Sequence, residues 1–468
     1  MTHPHSPDLV APPEPAGRPT RRGGLTLVLL ALAQAMLVLD ITVVNVALPV
    51  LSRELGLEPA LAGWAIAAYA VPFGGLLILG GRLADIFGAR RMLLTGLAIF
   101  TVASLAAGLA TDATWFLVAR AAQGIGAALL SPAALATLLH RFEGPARRRA
   151  LAVWGAVGGA GAAIGVLLGG LLTGGPGWRW IFFINVPVGV AVAIAVPFIV
   201  AGAVVVRRGR VDVLGAVLAT AGFASLVASI SSAELMEPAV AWTLAAAGAL
   251  LLGAFILVQR RAANPLVRLG LLRSRPVATG SMLMLVATGL LVGGFFMFSF
   301  ELQDGSGWSP IATGLAFLPI SVGIIAGAHV AARALGRFGA RVVAPAGMIV
   351  AALGLATTTS VISSGQSPAF AIAGMTVAAF GLGTGFVSAS TTTLSHVSGH
   401  EAGTASGVLN SFHELGSAVG VAVFAAIAVT SLGLGFGVAA GIAAATAVIA
   451  AFVLPPGVIG GGDVKFVH

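Results

Sequence analysis

The chain contains no cysteine, which excludes disulfides, thiol chemistry and cysteine-ligated metals. Charge is scarce as well. Asp, Glu, Lys and Arg make up 9% of the 468 residues, against about 25% in a soluble globular protein. Hydrophobic residues make up 58% and the mean hydropathy is +1.03. A soluble enzyme, a disordered chain and a nucleic-acid-binding domain are all excluded on that balance. Signatures of catalysis are missing too. There is no Gly-x-x-x-x-Gly-Lys-[Ser/Thr] phosphate loop, no paired-His zinc motif and no soluble stretch to hydrolyse a nucleotide. The glycine run Gly381-Leu-Gly-Thr-Gly385 falls inside an apolar segment and reads as packing. The chain is expected to be no enzyme and to hold no cofactor or metal, so any uphill work must draw on an ion gradient.

What the chain has is long apolar runs. A bilayer-spanning helix needs about 20 mostly apolar residues. Runs of that kind fall at roughly 25–50, 60–80, 92–110, 114–138, 150–173, 181–203, 213–231, 240–258, 277–300, 309–331, 342–361, 369–392, 403–429 and 432–454. They do not alternate every second residue, which argues against a β-barrel. The expectation is an all-α polytopic membrane protein with fourteen transmembrane helices. Residues 1–24 read as a disordered tail. The first apolar run is too long for a signal-peptide core and has no small-residue cleavage site.

The basic residues fix an orientation. With the N-terminus in the cytoplasm, the tail takes Arg18, Arg21 and Arg22. The alternate connections take Arg82, Arg90 and Arg91; Arg141 and Arg147–Arg149; Arg207, Arg208 and Arg210; Arg260, Arg261, Arg268, Arg273 and Arg275; and Arg333, Arg337 and Arg341. The C-terminal tail holds Lys465. Only Arg53 and Arg179 fall outside, and Arg120 lies within a span. Under the positive-inside rule both termini are then cytoplasmic. The Ala-, Gly- and Arg-heavy composition, with Lys465 the single lysine, points to a high-GC bacterium and its cytoplasmic membrane.

A repeat is visible. Gly81-Arg-Leu-Ala-Asp-Ile-Phe-Gly-Ala-Arg90 follows the second run, and Ala332-Arg-Ala-Leu-Gly-Arg-Phe-Gly-Ala-Arg341 follows the tenth. Two parallel halves related by an axis along the membrane normal would show such a match. The expected division is a six-helix bundle over 25–205, two inserted helices over 206–262, a second six-helix bundle over 263–455 and a tail over 456–468.

A charge inside a span costs at least about 2.5–3.5 kcal/mol and is a functional candidate by default. Asp40 and Arg120 are two such residues. Asp40 lies about seven residues before the outer end of its span and Arg120 about six after the outer end of its own. At 1.5 Å per residue both sit roughly 10 Å below one surface, so they can couple if their helices are neighbours. A static ion pair, or an arginine snorkelling to the interface, is the alternative.

Glu414 lies near the midplane of the thirteenth run. Asn410, His413 and Ser417 join it in a polar stripe on one helix face. Glutamate and histidine there can exchange protons, and the alternative is a polar packing cluster. Glu301 ends the ninth run beside Asp304, where a solvated interfacial carboxylate competes with a gating or proton role. Asp85 and Arg82 read as loop residues that can latch one face shut, and a plain turn is the alternative. Gly161, Gly165 and Gly169, four apart, allow close helix approach, either as packing or at an interface between halves. Trp178 and Trp180 are expected to anchor at the outer boundary.

Five segments together carry a resemblance. They are Leu39-Asp-Ile-Thr-Val-Val-Asn-Val-Ala-Leu-Pro49, Gly81 to Arg91, Arg120-Ala-Ala-Gln-Gly-Ile-Gly126, Trp178-Arg-Trp-Ile-Phe-Phe-Ile-Asn-Val-Pro187 and Glu401-Ala-Gly-Thr-Ala-Ser-Gly-Val-Leu-Asn410. The chain resembles the major facilitator superfamily, and within it the fourteen-span drug:proton antiporters. The resemblance implies proton coupling at Asp40 and Arg120; Glu414, His413 and Glu301 stand beside them as proton candidates on their own placement in the spans. It implies gating by Gly81, Arg82, Asp85, Gly88, Arg90 and Arg91, while Asn45, Gln123, Asn410 and Ser417 are polar span residues expected to line a substrate cavity. Departures are Gly165-Val166 where such proteins usually carry Gly-Pro, Glu301 where tyrosine is common, and the His413-Glu414 pair. The implied function is proton-coupled efflux of a small amphipathic or cationic drug by a monomer whose partners are substrate, protons and the lipid bilayer. Uptake or symport of a metabolite is the competing transporter reading. A membrane-embedded enzyme or a passive channel fits less well.

Overall fold

The structure, a computed structural model, describes residues 21–200, 211–231, 237–262, 264–395, 397 and 401–455. Most of the expected N-terminal tail, the C-terminal tail with Lys465, the segment with Arg207, Arg208 and Arg210, and the expected 205/206 boundary lie outside the described residues. The described residues contain helix and no strand. That follows from an apolar surround, where each backbone N–H and C=O must find its partner within its own segment.

Among the described residues, fourteen helices are long and apolar enough to cross a membrane. They are α1 (Arg21–Leu55), α2 (Trp64–Phe87), α3 (Ala89–Gly108), α4 (Ala113–Arg141) and α5 (Gly144–Gly174), then α6 (Trp180–Ile199). After these come α7 (Val213–Ser231), α8 (Pro238–Arg261), α9 (Arg275–Phe300), α10 (Pro310–Phe338), α11 (Ala340–Ser363), α12 (Pro368–Leu394), α13 (Ala402–Thr430) and α14 (Leu432–Val453). A π-helical turn, Glu301–Gly305, extends α9. Several starts are set by short polar caps. Asp112 accepts from the Trp115 N–H at 2.9 Å, and Ser309 accepts from the Ala312 N–H at 3.2 Å ahead of Pro310.

Two boundaries differ from the sequence expectation. The tail was expected to run to residue 24, but α1 begins at Arg21. Arg82 and Asp85, expected in a loop, lie on the last turns of α2. Polar side chains do not end a helix; the break comes at Gly88, whose φ of 91° suits a residue without a Cβ. In addition, α5 runs unbroken from Gly144 to Gly174, in keeping with valine rather than proline at position 166.

Helix packing reproduces the repeat. In the first half α1 packs on α5, α2 on α4, α3 on α4 and α3 on α6. In the second half α9 packs on α13, α10 on α12, α11 on α12 and α11 on α14. Each pair recurs with its index raised by eight. The matched decapeptides also behave alike. Gly88 and Gly339 both take positive φ, 91° and 74°. Arg90 donates to the Pro197 carbonyl at 2.9 Å, and Arg341 donates to the Ala451 carbonyl at 2.7 Å, so each ties the start of a third helix to the end of a sixth.

Two seams join the halves: α2 against α13, and α5 against α10. The inserted pair is asymmetric. α7 lies over the first seam, touching both α2 and α13, and α8 packs mainly on α7. Asp212 holds this pair to the linker before α9. It accepts from the Gly215 N–H at 2.8 Å and from Gln259 Nε2 at 2.5 Å, while Gln259 Oε1 accepts from the Val267 N–H at 3.2 Å.

Candidate functional site

Between the halves lies a cavity of about 890 Å³. It runs from the middle of the helices to the arginine-rich end, where Arg82, Asp85, His140 and Arg268 line its mouth. The opposite end is shut. There Arg53 pairs with Asp304, Gln303 Nε2 donates to the Val46 carbonyl at 2.8 Å, and Gly170 of α5 meets Gly314 of α10.

Asp40 and Arg120 meet in a sealed pocket of the first half. Asp40 on α1 and Arg120 on α4 are each 1% exposed, and Arg120 Nη1 donates to Asp40 Oδ2 at 2.5 Å. The depth comparison made from the sequence therefore corresponds to a direct contact. Two unpaired charges could not stay here, because leaving one buried charge without its partner costs several kcal/mol. Neutral groups complete the site. Arg120 Nε donates to the Ala65 carbonyl at 3.0 Å and Nη1 to Gln123 Oε1 at 3.0 Å. Gln123 Nε2 donates to Asp40 Oδ1 at 3.1 Å and to Ser104 Oγ at 3.1 Å. Asn185 Nδ2 donates to Ser104 Oγ at 3.0 Å and reaches Asp40 Oδ1 at 3.4 Å. The guanidinium also lies over the Tyr69 ring, 4.6 Å from its centroid.

Ser104, Asn185 and Tyr69 were not singled out from the sequence. Asn185 was legible as a polar residue inside the apolar segment Ile181 to Pro187; a serine or tyrosine in a span gives no comparable signal. Gln123 belongs to this sealed network and does not line the cavity, contrary to expectation, because its amide is taken up by Asp40, Arg120 and Ser104.

The polar stripe of α13 faces the cavity. Asn410, His413 and Glu414 line it. The Glu414 side chain stands on Gly74 of α2 and is 7% exposed. Among the described residues its carboxylate has no hydrogen-bond or ion-pair partner. His413 Nδ1 lies 3.1 Å from Thr288 Oγ1 of α9, and its ring is 5.9 Å from that of Phe386. Asn45 of α1 faces the stripe from the other half; its Nδ2 is bound to the Ile41 carbonyl at 2.9 Å, and its Oδ1 is buried without a partner among the described residues. Ser417, expected in the cavity, is 3% exposed and spends its hydroxyl on the Glu414 carbonyl at 2.7 Å, so it does not line the space.

Glu301 is not brought to the cavity. It opens the π-helical turn at the shut end and accepts from Ser306 Oγ at 3.4 Å, because the polar sequence Glu301-Leu-Gln-Asp304 lies past the apolar part of α9. At the mouth, Gly81, Arg82 and Asp85 line the space, Gly88 ends α2, Arg90 caps α6, and Arg91 is exposed. Asp85 is exposed and has no bond among the described residues, so no latch is closed there.

Gly161, Gly165 and Gly169 face Val38, Thr42 and Val43 of α1 within one half. They pack a bundle together; the crossing between halves falls instead on Gly170. Trp178, expected in the interface, is 1% exposed. Its Nε1 donates to Glu54 Oε2 at 2.8 Å, a partner that makes burial of the indole affordable, whereas Trp180 is 51% exposed.

A Major Facilitator Superfamily model matches residues 30–421. The chain is 38% identical to the puromycin resistance protein pur8 of Streptomyces alboniger over 88% of this chain and 82% of that one. It is 39% identical to the cephamycin export protein CmcT of Amycolatopsis lactamdurans over 87% and 85%, and 35% identical to a lincomycin resistance protein of Streptomyces lincolnensis over 87% and 85%. A crystal structure of a POT peptide transporter in complex with alafosfalin superposes with a TM-score of 0.67 at 16% identity, covering 92% of this chain and 93% of the other. A D-xylose-proton symporter gives 0.64 at 14%, over 92% and 97%.

Proposed function

The chain belongs to the major facilitator superfamily, a transporter rather than an enzyme and a multi-pass protein of the bacterial cell membrane, and on that premise we propose that it exports a small amphipathic antibiotic in exchange for protons. Resistance and export proteins at 35–39% identity support efflux over uptake. Both termini are cytoplasmic in this reading, so the arginine-rich mouth opens to the cytoplasm and the described conformation is ready to load cargo. The two six-helix halves, 25–205 and 263–455, rock about the α2/α13 and α5/α10 seams, with 206–262 as the inserted pair.

The observation that carries the mechanism is the sealed Asp40–Arg120 pair. Protonating Asp40 removes the partner of a buried guanidinium, a change of about 3–5 kcal/mol. A proton entering down ~100 mV releases about 2.3 kcal/mol, and one pH unit adds about 1.4 kcal/mol. The two magnitudes match, so one proton suffices to change which conformation is preferred. Tight coupling then sustains a several-hundred-fold gradient of a neutral cargo. Glu414, His413, Asn410 and Asn45 receive the cargo from the two halves, and Gly81, Arg82, Asp85, Gly88, Arg90 and Arg91 form the closing mouth. Glu301 is assigned no part in the proton path. The protein works as a monomer and uses the proton gradient in place of a cofactor.

The test is a resistance screen followed by reconstitution. A sensitive host expressing the chain is challenged with puromycin, lincomycin and ethidium, with and without a protonophore. The exported compound is then added to acid-loaded proteoliposomes. Antiport predicts proton release on addition, and Asp40→Asn is expected to abolish it. Full proton-driven export by that variant would overturn the assignment.

A further inference from the structure

Tyr69 is the only tyrosine in the chain. It sits on α2, 1% exposed, under the Arg120 guanidinium. That stack accounts for the ring and leaves the hydroxyl unexplained. The Tyr69 Oη is buried and has no hydrogen-bond partner among the described residues. An orphaned buried hydroxyl is destabilising, so phenylalanine would serve stacking better.

The charged groups around Tyr69 sit on three helices: Arg120 of α4 stacks on its ring, Asp40 of α1 is bound to that guanidinium, and Glu414 of α13 packs on the same stretch of α2. Of the other helices packed on α2, α7 carries no titratable residue, and α3 carries only Arg90 and Arg91 at its far end. On α2 itself, Gly74 lies beyond Tyr69 by little more than a turn, and a Cβ there would come within 2.9 Å of the Glu414 Cβ. One short stretch of α2 therefore borders both the sealed Asp40 network and the cavity carboxylate.

We propose that Tyr69 relays a proton between Glu414, which the cavity reaches, and Asp40, which it does not. Protonated Glu414 gives its proton to Tyr69 Oη as the phenol O–H bond breaks and that hydrogen passes to the Asp40 carboxylate. The phenol is neutral before and after, one proton has left Glu414 and one has arrived at Asp40, and rotation about the ring C–O bond resets the relay. In the described conformation the hydroxyl binds neither carboxylate, so the path is broken; it closes when α13 shifts along α2 or a water bridges the gap. The proposal rests on the reading of Asp40 as the coupling carboxyl.

The test is Tyr69→Phe in reconstituted full-length protein, with the compound found by the screen as cargo. Two rates are read: proton release on cargo addition, and cargo exchange at equal pH, which needs no net proton movement. The ring and its stack on Arg120 survive, and a thermal melt checks the fold. Exchange is expected to stay within about two-fold, and proton release to fall at least ten-fold. Uniform fluorotyrosine incorporation labels this one site and supplies a second variant; a relay predicts an altered pH profile of proton release with exchange unchanged. Wild-type proton release in both variants overturns the relay. Asp40→Asn runs in parallel: its loss of coupling beside a normal Tyr69→Phe sinks the relay alone, whereas its full coupling sinks the parent reading.

Discussion

Gly170 of α5 and Gly314 of α10 meet backbone to backbone at the shut end: a Cβ on either would lie 3.0 Å from the Cα of the other. No side chain fits there. Small residues at a crossing allow such an approach, and this one joins the two halves.

Gly314→Val is therefore expected to hold the shut end apart. The chain lacks cysteine, so Asn45→Cys in the cavity serves as a clean reporter. Labelling of that position by a membrane-impermeant maleimide from the face opposite the arginine-rich end should rise several-fold. Unchanged labelling would show that this crossing does not control access.

Arg53 and Asp304 also span that end, but their side chains are 59% and 39% exposed. Exposed pairs contribute about 0–1 kcal/mol and are screened by salt. Arg53→Ala should thus raise reporter labelling less than Gly314→Val does, with the difference from wild type shrinking in high salt. An effect equal to that of the glycine variant would reverse the ranking.

Glu414 presents to the cavity a carboxylate that has no partner among the described residues. Glu414→Gln should lower proton release with every cargo at least ten-fold, because the relay starts at this carboxyl, and in exchange at equal pH it should slow a cationic compound such as ethidium more than an uncharged one. Unchanged proton release would remove Glu414 from the proton path and leave it a part in cargo recognition alone.

Arg120→Ala should destabilise the protein by about 3–5 kcal/mol, because it strands the Asp40 carboxylate in a sealed site. Adding Asp40→Asn should recover part of that loss, since the charge left behind is then neutral. Thermal melts of the two single variants and the double variant give the coupling; strict additivity would mean that the pair is not energetically linked.

Much of this was legible in the sequence. Hydropathy and the arginine asymmetry supplied fourteen spans, and the matched decapeptides supplied two halves. Depth counting alone brought Asp40 and Arg120 to one level. What depth cannot give is the direction a side chain takes around its helix. Gln123 shares a motif with Arg120 and turns into the network; Ser417 shares a stripe with Glu414 and turns to its own backbone. Trp178 reads as an interface anchor until Glu54 of another helix supplies its indole with an acceptor. Ser104 and Tyr69 give no signal in the sequence, because a neutral polar group in a span carries little cost and its role depends on its neighbours.

The paired arginine contacts, Arg90 to the Pro197 carbonyl and Arg341 to the Ala451 carbonyl, have a mechanical corollary. Each is a crossbrace pinning the third helix of a half to its sixth, at the very end where the vestibule gapes. In the proposed cycle these braces would resist bending within a half and turn movement onto the glycine-lined joints between them, so that the molecule would move as two stiff jaws rather than as twelve loose rods.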